Sequence, residues 1–148
     1  RSKLWWPAAG REELAAVFPV VDSLFIAVSD ARAVLGCEGD AGEIARALTA
    51  RHGFETVVVT RGVDGALALE EDIHEQPAFE TDTVDPVGSG DALVGGYLAS
   101  RLQGGTVPEA LEQGVATAAL ARTIPGDMAV LSPAEVERVR AGDDELDR

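Results

Sequence analysis

Residues 85–91, Asp85-Pro86-Val87-Gly88-Ser89-Gly90-Asp91, place two glycines, a hydroxyl and two carboxylates where an apolar β-like region gives way to the helical run 92–98. The first N–H groups of a helix have no intrahelical partner and lie at the positive end of the helix dipole, so small residues at such a start form an anion site. Gly88 and Gly90 let the backbone turn sharply and come close to a ligand, with no Cβ in the way. A carboxylate such as Asp91 is out of place in a loop that only binds anions. It fits if Asp91 takes the proton of a hydroxyl attacking a γ-phosphoryl group, while the N–H groups of Gly88, Ser89, Gly90 and Asp91 stabilise the developing charge. The chemistry to which these residues point is phosphoryl transfer. The alternative is a plain helix start, with Ser89 or Asp91 as its cap.

The elements that would position this loop follow from periodicity and punctuation. Helices are expected at 11–18, 30–35, 41–52, 89–103, 107–122 and 133–140, and strands at 23–28, 56–60, 66–70 and about 73–79. Val107, Ala110, Leu111, Val115, Ala118 and Ala119 share one helical stripe, the pattern of a helix packed on a sheet. Helices alternating with strands imply an α/β layered domain with a mainly parallel sheet, whose ligands sit beyond the carboxyl ends of the strands.

The 85–91 segment resembles the C-terminal signature of the ribokinase/PfkB family of carbohydrate kinases, Asp-Thr-x-Gly-Ala-Gly-Asp, with Pro86 in place of Thr and Ser89 in place of Ala. The resemblance implies a three-layer Rossmann-like sandwich of the ribokinase-like fold, with Asp91 as catalytic base facing the substrate. It also implies an anion hole for the ATP phosphates at Gly88, Ser89, Gly90 and Asp91, with Mg2+ as cofactor. Asp85 and the Val87 carbonyl resemble positions that hold a monovalent cation in some members, which makes K+ a further candidate.

Other segments fall in the family's order. Thr60-Arg61-Gly62-Val63-Asp64-Gly65 is similar to the family's Thr/Lys-x-Gly-x-x-Gly turn, which implies a place beside the nucleotide for Thr60, Gly62 and Gly65. The Ala-rich run 114–122, with Ala118, and the following Thr123-Ile124-Pro125-Gly126-Asp127 correspond to the region that shapes the adenine pocket. A β-turn and a packed helix ended by Pro-Gly explain the same residues without a ligand. Arg1-Ser2-Lys3-Leu4-Trp5 is similar to the end of the Asp-x-Asn-x-Arg-x-x-Leu-Trp segment of the 2-keto-3-deoxygluconate kinases, which implies a substrate-facing role for Arg1. One position departs. Where the family carries Asn-x-x-Glu, whose Glu helps hold magnesium through water, this chain has Ser29-Asp30-Ala31-Arg32, so that Asp30 substitutes or the metal relies on phosphates and water. Ser29 and Asp30 serve equally as an N-cap for the helix ending at Leu35.

At 148 residues the chain can bury a normal core as one α/β domain over 1–148, about half of what such kinases need. The expectation is therefore the C-terminal, nucleotide-binding half, with the N-terminal half and its sugar-binding residues absent. A net charge of −14, from 26 acidic and 12 basic residues, argues against nucleic acid and anionic membranes as partners. It also fits a high-salt cytoplasm, although GC-rich coding would by itself favour arginine over lysine. Cys37 is the sole cysteine, so no disulfide forms within the chain, and His52 and His74 have no ligand spacing. With no membrane-spanning run and no leader pattern, a cytoplasmic setting is expected. Trp5 and Trp6, with an uncovered strand edge, would favour a homodimer or association with the missing half.

The function expected is an ATP-dependent sugar kinase, phosphorylating a sugar or a keto-deoxy sugar acid such as 2-keto-3-deoxygluconate at a primary hydroxyl. The alternative is a catalytically inert nucleotide-binding or structural fragment. A hydroxymethylpyrimidine or pyridoxal type of kinase would carry Cys in the anion loop, against which Ser89 speaks.

Overall fold

The computed structural model describes residues 7–126 and 128–142. They divide into two compact units: residues up to Gly62 with Leu67–His74, and Val63–Ala66 with the residues from Glu75 onward. Arg1, Trp5, Trp6 and Asp127 lie outside the described residues.

The first unit begins with α1 (Pro7–Val17). The helix ends one residue short of expectation because Pro19 disfavours the α-conformation at Phe18, and a 3-10 turn takes over at Phe18–Val20. Strand β1 (Ser23–Ala27) runs parallel to β2 (Thr56–Thr60), with Ser23 opposite Thr56 and Ala27 opposite Thr60. Between them lie α2 (Val28–Leu35) and α3 (Ala41–His52). Helix α2 starts at Val28, with Ala27 as N-cap and no side-chain cap bond, so Ser29 and Asp30 lie inside the helix rather than capping it. Asp40 and Glu43 form the capping box that starts α3, each side chain taking the other's backbone N–H at 2.8 Å.

Strands β3 (Ala66–Leu69) and β4 (Ile73–Gln76) extend the sheet in the order β1-β2-β3-β4. The links 61–65 and 70–72 are too short for crossovers, so the sheet is mixed rather than mainly parallel. Within the first unit Val57, Val59, Leu67 and Leu69 join Ile44, Leu48 and Phe54 in one apolar cluster, and Val58 is buried on the opposite face. Phe18 meets Phe54 and His52 edge-on, at ring separations of 5.1 and 4.7 Å. Burial among these rings is the main cause of a His52 pKa below 6.5, and the neighbouring Arg51 charge adds to it.

The second unit contains α4 (Ser89–Leu102), α5 (Val107–Ala121) and α6 (Pro133–Ala141). Helices α4 and α5 touch backbone to backbone. A Cβ on Gly114 would sit 2.8 Å from the Leu93 carbonyl oxygen, and one on Gly96 would strike Thr117 Oγ1 and stand 3.0 Å from the Gln113 carbonyl. The buried positions of α5 are not a single stripe, because Ala116 and Leu120, on the other side of the helix, are buried as well, while Ala118 is only half-buried. On another side Ala116, Ala119 and Leu120 pack with Val136 and Val139 of α6. Arg140 of α6 pairs with Glu112 and Glu137.

Gly65 is buried at φ 88°, where a Cβ would collide with the Gln76 carbonyl and come within 2.6 Å of the Ala78 nitrogen. Only glycine fits that close approach.

Gly114→Ala is expected to destabilise the chain by about 1–3 kcal/mol, because a methyl there pushes into the Leu93 carbonyl. Gly95→Ala, at a helical glycine with open space, is expected to stabilise it by about 1 kcal/mol. Urea denaturation of the two variants beside the parent checks both, and equal shifts would refute the close packing.

Candidate functional site

The loop that opens α4 is built from its own backbone. Gly88 is the N-cap of α4 at φ 80°, a left-handed turn that side chains resist, and no side chain caps the helix. Neither Ser89 nor Asp91 is therefore the cap. The Ser89 hydroxyl instead donates to the Pro86 carbonyl at 2.8 Å, which closes the turn upon itself. The first ladder bond of the helix is Ala92 N–H to the Gly88 carbonyl at 2.9 Å. The Gly90 and Asp91 amides precede it and so lie among the helix's uncommitted donors. A Cβ at Gly90 would find nothing within 4 Å, so the space over this turn is open.

Asp91 is exposed in the first turn of α4 and lines a pocket of about 200 Å3. Val87, Gly88 and Ala92 line it too, together with Ala121, Gly126, Met128 and Ala129. Asp85 sits at the base of the loop with both carboxylate oxygens engaged. Oδ1 accepts the Val87 N–H at 3.0 Å and Oδ2 the Gly126 N–H at 3.1 Å. The Val87 bond first and the Gly126 bond second hold its carboxyl below the ordinary 3.8.

The structure thus gathers Val87, Gly88 and Asp91 around one pocket, with Asp85 bonded to two of its lining residues and Ser89 and Gly90 in the same turn. Ala118 is half-buried on α5, and it is Ala121, one turn further on, that lines the pocket. Thr60 closes β2 in the first unit, and Gly62 opens an exposed 3-10 turn at φ 64°. Gly65 belongs to the second unit and is filled against backbone. Arg1 lies outside the described residues.

Arg32, where the resemblance calls for an acidic residue, is exposed and donates to the Gly39 carbonyl at 2.8 Å, steadying the turn before α3. Asp30 borders an apolar groove beside α1 and β1. Among the described residues no cluster of His, Cys, Asp and Glu could hold a metal ion, and no helix is long and apolar enough to cross a membrane.

Two features escape the sequence. Met128 and Ala129 enter the pocket wall from a segment with no motif. Gly126 serves Asp85 through its N–H, a bond between residues far apart in the chain. The other half of that arrangement was legible, because Asp followed by Pro-Val is an Asx-turn pattern in which the carboxylate takes the N–H two residues on.

Residues 2–134 match the family described as pfkB family carbohydrate kinase. The 2-dehydro-3-deoxygalactonokinase of Haloferax volcanii is 54% identical over 150 residues, covering 100% of this chain and 47% of that protein. The crystal structure of 2-dehydro-3-deoxygluconokinase from Thermotoga maritima superposes with a TM-score of 0.87 at 27% identity, over 96% of this chain and 48% of that one. An E. coli chain described as a ribokinase II, in complex with ATP and Mg2+, gives a TM-score of 0.78 at 27% identity, over 89% of this chain and 43% of that one. The chain spans less than half the length of each. Its fold is the ribokinase-like α/β fold, and with a family match over residues 2–134 the chain belongs to the pfkB family of carbohydrate kinases.

Proposed function

We propose that this chain is the nucleotide-binding half of a sugar kinase that transfers the γ-phosphoryl group of ATP to a primary hydroxyl of a keto-deoxy sugar acid, such as 2-keto-3-deoxygluconate. The observation that carries the reading is Asp91 in the first turn of α4, beside the left-handed Gly88 turn and lining an open pocket. A carboxylate there can accept the proton of an attacking hydroxyl, and the amides that precede the helix ladder can stabilise charge on the transferring phosphoryl group. The names of the Haloferax and Thermotoga relatives favour a keto-deoxy sugar acid as acceptor.

Within this reading Gly88, Ser89, Gly90 and Asp91 form the anion hole; the Pro86 carbonyl takes both the Ser89 hydroxyl at 2.8 Å and, more loosely, its N–H at 3.4 Å. Thr60, Gly62 and Gly65 flank the nucleotide, Gly65 by shaping the turn and not by contact, and Ala118 backs the adenine side. Arg1 faces the substrate. Asp85 and the Val87 carbonyl offer oxygen donors suited to a monovalent cation such as K+, and Mg2+ would be held mainly by phosphates and water, since no carboxylate cluster that could hold a metal stands among the described residues. Bound there, Mg2+ neutralises phosphate charge. Sugar contacts beyond Arg1 would come from the portion of the relatives that this chain does not span. The reading of an inert nucleotide-binding fragment is favoured by Arg32, whose side chain serves the Gly39 turn.

Titration of the chain with Mg-ATP in concentrated potassium chloride is expected to saturate near one site per chain, and absence of binding by folded protein would refute the reading. Asp91→Asn should lower phosphoryl transfer by about 10²–10⁴-fold and leave ATP affinity nearly unchanged, measured by product formation and calorimetry. Gly90→Val should weaken ATP binding by about tenfold or more, because a branched side chain fills the open space over the turn. The Asp85 carboxyl should titrate below 3.8 by carbon NMR. Its folded pKa is depressed, so the stability it contributes is present above the unfolded value and is lost as pH falls through the folded one.

A further inference from the structure

The loop that opens α4 and the turn that follows α5 are tied together within the second unit. The Arg122 carbonyl accepts the Val84 N–H at 2.8 Å and the Asp85 N–H at 3.0 Å. The Asp85 side chain adds a second tie, with Oδ1 on the Val87 N–H and Oδ2 on the Gly126 N–H. An Asx turn needs only the first of these bonds. The second reaches Gly126, a residue that the local turn does not require and that lines the same pocket as Asp91. Val87 and Gly126, whose N–H groups the carboxylate takes, both line that pocket, so the side chain joins two stretches of its wall.

We propose that Asp85 is a positioning residue whose carboxylate clamps the Gly126 turn to the anion loop and so sets the gap into which the phosphates of a nucleoside triphosphate enter. The proposal rests on the phosphoryl-transfer reading, and it is separate from cation ligation, because the clamp uses N–H donors on both carboxylate oxygens. A carboxylate has two acceptor oxygens, asparagine one, and alanine none, so the three side chains grade the clamp.

The test is amide hydrogen exchange on the parent chain, Asp85→Asn and Asp85→Ala, with Mg-ATP titrations in potassium chloride and in tetramethylammonium chloride of equal ionic strength. In the parent the Val87 and Gly126 amides should be protected. In Asp85→Ala both should exchange at least about tenfold faster, and in Asp85→Asn only one of them. ATP affinity should fall by about fivefold or more in Asp85→Ala, by the same factor in both salts. Equally fast Gly126 exchange in parent and Asp85→Ala would overturn the clamp. Unchanged ATP affinity despite lost protection would overturn its positioning role, and a loss confined to potassium would make Asp85 a cation ligand and nothing more. If Asp85→Ala does not fold, the one-amide pattern in Asp85→Asn decides the same point. If the parent binds no ATP, the phosphoryl-transfer reading fails, and exchange at Gly126 alone judges the clamp.

Discussion

The candidate site depends on the contact between α4 and α5. Both helices bring glycine to the crossing, so that Leu93 and Gln113 present backbone carbonyls where side chains would ordinarily stand. Interiors are packed densely enough that one added methyl is felt, which makes this contact a fixed spacer. With the two axes held close, the N-terminus of α4 and the C-terminus of α5 stand as neighbours, and Gly88, Asp91 and Ala121 border one pocket. The residues that carry the proposed chemistry owe their proximity to residues that carry none.

Over that spacer, the loop is held by bonds that leave its forward-facing donors unused. Ser89 turns its hydroxyl back to Pro86, Asp85 takes up the Val87 and Gly126 amides, and the Arg122 carbonyl receives Val84 and Asp85. Each bond satisfies a polar group behind or beneath the turn. The amides of Gly90 and Asp91 lie ahead of the helix ladder, where the dipole favours a negative ligand. Such preorganisation matters for phosphoryl transfer, in which the protein's contribution is mainly position and charge.

The first unit has a different construction. Its strands bury Val57 and Val59 on one face and Val58 on the other, the run of apolar residues expected of a strand covered on both sides. Its departure from the family pattern also has a structural use, since Arg32 secures the Gly39 carbonyl ahead of the Asp40 and Glu43 capping box. An arginine at that position contributes to folding the α2–α3 connection and adds no carboxylate for a metal.

The sequence alone determined what is local. Helix α3 and strand β2 carry their boundaries in a capping box and an uninterrupted β-branched run, and the glycine spacing of the Asp85 to Asp91 loop marks a backbone turn into the helix that follows. Elsewhere a neighbour in space outweighs the local pattern. The sheet expected to be mainly parallel is mixed, because only β1 and β2 are joined by a crossover and the links to β3 and β4 are too short for one, and Ser29 and Asp30, plausible caps by type, lie inside a helix that starts at Val28. Only the tertiary structure decided that Gly65 is required by the backbone passing at Gln76 and Ala78, that Met128 and Ala129 line the pocket with Asp91, and that Gly126 answers Asp85. These are contacts between residues far apart in the chain or held in place by packing. Hydrogen-bond reach and steric exclusion act through space, and a sequence pattern records only what is near along the backbone.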